Sequence, residues 1–306
     1  ASVEPILACG RYSDGGLAVA LPLARQGRTL RALRTTHTVR VDLVGDPTAL
    51  PQLWDAILRE ACWDCFELRG VPVDSPLATS LPDLARRDGL SVYTREIARM
   101  PWFEIAGIEQ RIHRRFRGDM RRLERQLGGI ELESIRRFDR TALRDFYRLE
   151  VSGWKGDAGT AIALDRRLVA YYGAIARVFA PRGQLSLAFV RARGERIAGC
   201  IALEDETCFY LLKIAHDPRY AHYGPGQLLV RETALDAGRR GLRLYDLLGR
   251  DSAYKMKWTD RVRPHVEVRI YASSLRARTR RCIREIARPM VGRVLRGFRR
   301  PPPEEN

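Results

Sequence analysis

Apolar and polar positions follow two different periods along the first hundred residues. Short β-rich apolar runs at 5–9, 17–23 and 39–44 read as strands, and Ser13-Asp14-Gly15-Gly16 reads as a hairpin turn between the first two. From Leu50 the period lengthens: Leu50, Leu53, Trp54, Ile57 and Leu58 share one face of a helix predicted over 50–62. A strand at 66–71, a helix at 77–87 and a strand at 90–97 follow.

The pattern turns strongly basic at 108–127, where Ile112, Phe116, Met120, Leu123 and Leu127 recur at three- and four-residue spacing. One face of that helix must be buried, while its Arg face meets solvent or a phosphate-bearing ligand. Residues 107–129 therefore read as a linker helix between a first half, 1–106, and a second half, 130–274. The second half opens with a strand at 130–135 and a helix running from the cap Asp139 to about Val151. The glycine-rich loop Ser152-Gly153-Trp154-Lys155-Gly156 continues to Ala161, and a helix covers 166–179. Strands at 185–191, 196–203 and 208–214, with turns at Arg193-Gly194-Glu195 and Asp205-Glu206, make an antiparallel meander. A helix from Gly226 to Arg240, stopped by Gly241, and strands at 242–248 and 266–271 complete the set. Strand pairing flanked by helices is an α/β plan of the α+β kind, in two mixed-sheet halves.

Asp46-Pro47 and Asp217-Pro218 each open a connection, a helix and a strand, ending at Gly70 and Gly249, which is a weak internal repeat. The last segment, 275–306, reads as a basic helix divided at Pro289, with a tail from Pro301. Ile283, Ile286, Met290, Val294 and Phe298 lie along one stripe of it. That stripe either docks on the fold or lies on an anionic membrane surface.

Composition changes this picture in three ways. The 54 basic and 37 acidic residues leave a net charge of +17, which attracts nucleic acid, anionic lipid or a phosphorylated cofactor without choosing among them. Almost all the cations are Arg; the lysines are Lys155, Lys213, Lys255 and Lys257, which suits sites needing a compact or titratable ammonium. Cys62 and Cys65 form a Cys-x-x-Cys pair at the end of a helix, where no dipole lowers a thiol pKa, and no second pair completes a zinc site. Reduced, buried thiols and no metal are expected. With no apolar run of membrane-spanning length and no leader pattern, a cytoplasmic protein is expected, at most peripheral to the inner membrane. The strand-like run begins almost at Ala1, which leaves open whether residues upstream are missing. No zinc knuckle, RNP-type aromatic signature or helix-turn-helix supports a dedicated nucleic-acid module.

The segment from Phe209 to Trp258 carries the candidate chemistry. A strand delivers the chain to Gly224-Pro225-Gly226, where a long helix begins. Glycines permit close backbone approach and a helix N-terminus offers free N–H groups, so the turn is either a diphosphate cradle or a plain entry into a helix.

Four features resemble the GNAT superfamily, and more closely the CelD-like acetyltransferases, a tandem family associated with bacterial polysaccharide and cellulose loci. They are the Arg-rich linker helix, the loop around Trp154-Lys155, the run from Asp217-Pro218 to Leu229, and the pair Tyr245-Asp246-Leu247-Leu248-Gly249 and Tyr254-Lys255-Met256-Lys257-Trp258. A remoter likeness is to the FemAB aminoacyl transferases. The resemblance implies two GNAT-like halves, the first degenerate and short at its N-terminus, with acetyl-CoA or another acyl-CoA in the second. Lys213, Ile214 and Ala215 would meet the acyl group, and Arg219, Tyr223, Gly224, Gly226, Gln227 and Leu228 the diphosphate. Three residues before Gly224, where the family carries Gln or Arg, stands Ala221, so Arg219 or Gln227 is expected to supply the missing donor.

Direct transfer to an amine or hydroxyl needs a base for the acceptor's proton. His216 and Glu204 are the candidates, with Asp205 and Asp251 behind them; His216 leads because an imidazole titrates near the working pH. Tyr254 or Tyr223 would protonate the leaving thiolate. Trp154, Lys155, Tyr254, Lys255 and Trp258 are the expected walls of a site for a saccharide, amine or amino-acid-like acceptor. Two rival readings stay open: an aminoacyl transferase using charged tRNA, and a non-enzymatic protein that binds nucleic acid or membrane through its Arg helices.

Overall fold

The computed structural model describes residues 3–60 and 63–287. In chain order its elements begin with β1 (Glu4–Arg11), β2 (Leu17–Gln26), β3 (Thr29–Ala32), β4 (Val44–Gly45), α1 (Leu50–Arg59) and β5 (Cys65–Pro72). Next come α2 (Pro76–Thr79), α3 (Leu81–Arg87), β6 (Ser91–Glu104), α4 (Ile108–Arg111), α5 (Arg114–Gln126) and β7 (Glu131–Ile135). Then follow α6 (Arg140–Ser152), α7 (Trp154–Asp157), α8 (Arg166–Phe179), β8 (Leu185–Ala192), β9 (Glu195–Glu204) and β10 (Cys208–His216). The last are α9 (Pro225–Arg239), β11 (Leu244–Asp246), β12 (Val262–Tyr271) and α10 (Leu275–Arg281), which continues as wider π-helical turns through Cys282–Ala287.

The chain forms two compact units of mixed α/β structure: residues 1–99 with 263–306, and residues 100–262. Strand β12, read from sequence with the second half, lies in the first unit, where Tyr271 to His265 pair antiparallel with Cys65 to Pro72. The linker helix, conversely, is part of the second unit: Ile108, Ile112, Met120 and Leu127 are buried in its core.

In the first unit the strand order is β1-β2-β3-β5-β12-β6, with β4 beside β2. Strands β3 and β5 run parallel, over Thr29–Arg31 against Cys65–Glu67. One face carries Val19, Leu21, Leu23, Phe66, Leu68, Val268 and Ile270 against α1 and α3. The predicted strand at 39–44 survives only as β4. Residues 39–41 instead lie beside β5, held by one bond from Val41 N–H to Gly70 O at 2.9 Å. Gly70 sits at φ +89°, and a Cβ there would approach Val39 O to 3.1 Å. The predicted helix at 77–87 is broken into α2 and α3 because Pro82 brings no N–H to an unbroken helix.

In the second unit the order is β6-β11-β10-β9-β8-β7. Among the described residues of this unit one pair is parallel, Cys208–Tyr210 against Leu244–Asp246. The helix predicted over 108–127 is interrupted at Ile112-His113, where the His113 ring caps α5 by accepting from Arg115 N–H at 3.2 Å. One face of this sheet packs on α5 and α9, the other on α6 and α8.

Of the two readings of the terminal stripe, docking through Ile283 and Ile286 does not hold. They are 51% and 53% exposed, while the neighbouring Arg284 and Glu285 turn inward. Met290, Val294 and Phe298 lie outside the described residues, as does Cys62. Cys65 is buried, and burial pushes its thiol pKa up to about 11, as an inert thiol requires.

Candidate functional site

After Tyr210 the strands β10 and β11 part. Strand β11 ends at Asp246, whose carboxylate accepts from Leu248 N–H at 2.9 Å and turns the chain through Leu248 and Gly249, both at positive φ. Strand β10 runs on to His216, still paired with β9 but with no strand on its other edge among the described residues. A register shift between Leu211 and Lys213 marks a bulge in it. The wedge between the strands is a cavity of about 680 Å³, in the size range of small-molecule sites. Ile214, Ala215 and His216 form one wall, Gly224 to Gln227 the end of α9, and Leu149, Glu150 and Lys155 another; Tyr254 and Lys257 complete it.

The helix start is built for close approach. Asp217 caps a 3₁₀ turn by accepting from Arg219 N–H at 2.9 Å, Gly224 adopts the left-handed conformation at φ +60°, and Pro225 occupies the first helical position. A Cβ on Gly226 would lie 3.2 Å from the Tyr254 hydroxyl and 3.7 Å from Ile214 Cδ1, so only glycine leaves this corner open. The N–H groups of Gln227 and Leu228 turn back on Gly224 O at 2.9 and 3.2 Å, and Leu228 is core. Of this turn's residues that line the cavity, Gly226 is left with an N–H, since Pro225 has none.

Neither expected substitute for Ala221 is available. Arg219 chelates Asp217 and reaches Glu195 at 2.8 Å, outside the cavity. Gln227 donates to Tyr254 O at 3.2 Å and accepts from the Trp258 indole. The cation on that side is Lys257, for which no carboxylate partner is found among the described residues. Its ammonium lies 5.8 Å from the Phe116 ring centre.

His216 is half-buried in the cavity wall. Burial holds its pKa below the usual imidazole value, with the Lys155 charge adding to that and Asp217 opposing it. The imidazole is therefore neutral at pH 7 and able to accept a proton. The Tyr254 hydroxyl is buried with no hydrogen-bond partner among the described residues, and desolvation raises its pKa, so it stays a proton donor.

Several expected site residues do other work. Glu204 is at the far end of the sheet, opposite Phe209 where His216 is opposite Ala198, and forms paired bonds to Arg136 and Arg240 at 2.5–3.0 Å. A carboxylate so neutralised is a structural anchor. Asp205 holds the β9–β10 turn by accepting from Thr207 and Cys208 N–H at 2.7 Å. Trp258 is a core residue, 5.8 Å from the Phe103 ring and 5.3 Å from that of Phe116. Lys255 donates to Leu248 O and Arg250 O, fixing the turn after β11; burial lowers its pKa to about 8. Lys213 points away from the cavity, over Tyr172. Tyr223 packs against the core beside α5. The Trp154 side chain lies outside what is described.

Glu150 is the site residue that pattern reading missed. It is buried at the end of α6, with Oε1 2.8 Å from Lys155 Nζ and Oε2 accepting from Ile162 N–H at 2.8 Å. Lys155 also reaches Ile214 O, on the parted strand, at 3.3 Å. Its place in the glycine-rich loop depends on Gly156, where a Cβ would meet Val151 O at 1.8 Å. The available signal was a carboxylate in the helix's apolar stripe, four residues after Phe146 and seven after Leu143.

Residues 110–256 match the family model described as an acetyltransferase (GNAT) domain. This segment, just under half of the chain, is thus similar to a GNAT domain. It spans the whole cavity apart from Lys257, from the linker helix to Tyr254. No curated protein matches the sequence. Among solved structures the chain is similar to FemX, at 13% identity and a TM-score of 0.63 over 87% of this chain and 88% of that one. It is also similar to L-PGS from Bacillus licheniformis, at 12% identity and a TM-score of 0.59 over 89% and 86%. A Bacteroides thetaiotaomicron protein of unknown function matches at 13% identity and 0.59 over 83% of both chains. At these identities the likeness is one of fold. No helix among the described residues is long and apolar enough to cross a membrane.

Proposed function

We propose that residues 110–256 form a GNAT domain that transfers an acyl group from acyl-CoA to an amine or hydroxyl of a saccharide or amino-acid-like acceptor. The unpaired edge of β10, opening on an apolar cavity at the start of α9, carries this reading. A pantetheine arm contains two amides and can pair with such an edge as a strand would, while its diphosphate meets Gly226 N–H and Lys257. The acceptor attacks the thioester carbon and its proton passes to neutral His216. The carbon–sulfur bond breaks and the Tyr254 hydroxyl supplies the thiolate's proton. Lys155, neutralised by Glu150, positions the rim through Ile214 O.

A second reading keeps the transfer and changes the donor to aminoacyl-tRNA. The likeness to the FemAB family, the charge of +17 and the lack of Gln or Arg at Ala221 favour it. Titration decides between them. Coenzyme A at a hundredfold excess over its Kd is expected to raise the Tm by about 5 °C. No shift at millimolar coenzyme, with salt-sensitive binding of charged tRNA, overturns the acyl-CoA reading in favour of the tRNA donor.

A further inference from the structure

The C-terminal helix of the first unit holds its sheet by charge and shows solvent an apolar strip. Inward, Arg284 makes paired bonds to Glu67 at 2.8 and 3.1 Å, and Glu285 accepts from Arg269 at 2.7 Å and from the Tyr271 hydroxyl. Arg280 donates to Thr29 Oγ1 at 2.8 Å and Ala277 is fully buried. These contacts satisfy the inner face without any large apolar side chain.

The outer face is left with Leu275, Thr279, Ile283 and Ile286, at helical spacing along one strip, and Leu275 is 82% exposed. Arg276 and Arg278 flank the strip and are exposed. Beside it runs an open groove of about 650 Å³ lined by Arg276, Thr279, Arg280, Ile283 and Arg284. Among residues 272–287 the one carboxylate is Glu285, which faces inward, so nothing on the outer face repels an anion. In sequence the combination continues with Met290, Val294 and Phe298 spaced among Arg288, Arg293, Arg296, Arg299 and Arg300.

We infer that this face docks on an anionic lipid bilayer, with the isoleucines entering the acyl boundary and the arginines among the phosphates. A second copy of the chain would bring like charges together, and a nucleic-acid surface offers no apolar layer to cover the isoleucines. The inference is independent of the acyl donor, since it rests on a different unit.

Flotation of the full chain with vesicles tests it. The protein should float with vesicles containing phosphatidylglycerol and stay behind with phosphatidylcholine alone. Ile283→Ser with Ile286→Ser should reduce the partition coefficient by about tenfold, with an unchanged Tm because both residues are exposed. Three results overturn the inference: no flotation with the anionic vesicles at low salt, equal flotation of the double variant, or an equal loss of RNA binding in that variant. The last would mark a nucleic-acid face.

Discussion

The two units share a short parallel pairing at their centre and treat the space beyond it in opposite ways. Three residues of β3 run beside β5, and three of β10 beside β11. Each pairing is linked to an aspartate that caps a 3₁₀ turn before a helix: Asp46 accepts from Thr48 N–H at 2.8 Å, and Asp217 from Arg219 N–H at 2.9 Å. In the first unit residues 39–41 return to lie along β5, and Val41 is buried there. In the second the connection is short, and beyond Tyr210 no strand among the described residues lies on the β11 side of β10. A cleft arises here from chain that is withheld, on a frame that can equally well be closed.

Filling the second wedge should break the contrast most severely. Gly226→Trp places an indole where even a Cβ comes within 3.2 Å of the Tyr254 hydroxyl. It should weaken coenzyme binding by about a hundredfold or more while circular dichroism remains native, about 3 kcal/mol at the site. A loss of folding instead would make Gly226 a structural glycine.

Next in size is Glu204→Ala, which takes the carboxylate from Arg136 and leaves Arg240 only Asp236, and should cost about 2 kcal/mol of stability by denaturant titration. If Glu204 only anchors the sheet, the kcat of the folded fraction is unchanged; a selective fall in kcat would return it to the chemistry.

The pH dependence is a finer test. Because the folded-state pKa of His216 is depressed, protonation both removes the base and favours the unfolded chain. Log kcat/KM should rise to a plateau with its midpoint on the acid side of 6.5, and stability should fall as pH drops through the same window. A His216→Gln enzyme that keeps the acid limb would assign it to another group.

The smallest effect is expected from restoring what the loop lacks. Ala221→Gln adds one donor at the cavity rim and should tighten coenzyme binding about fivefold, measured by calorimetry. No change would mean that the diphosphate lies elsewhere.

How much of this was legible depended on whether the signal was local. The meander of β8 to β10, Gly224-Pro225-Gly226 and the helix after it follow from turn residues and apolar period, and His216 and Tyr254 do line the cavity. The partners of Gln227, Arg219 and Glu204 were not readable, since Trp258, Glu195 and Arg136 lie 31, 24 and 68 residues away. Trp258 illustrates the limit: sequence shows a tryptophan beside lysines, but only packing shows that Phe103 and Phe116 have claimed it. The exposed terminal isoleucines misled in the same way, because helix periodicity finds a stripe without saying which way it faces.

The bulge at Leu212 reaches further than its own backbone. Up to Leu211 the odd-numbered side chains of β10 face α9, as Phe209 and Leu211 do; beyond it Ile214 faces α9 and Ala215 faces α6 and α8. One additional residue thus exchanges the parity of the strand's last four positions. Run as an unbroken ladder with Leu212 retained, the chain would put His216 on the side of α6 and α8; deleting Leu212 would instead keep each later side chain on its present face, since Lys213 already lies opposite Ile201. The position of the imidazole is thus set by counting residues along the strand as much as by its neighbours.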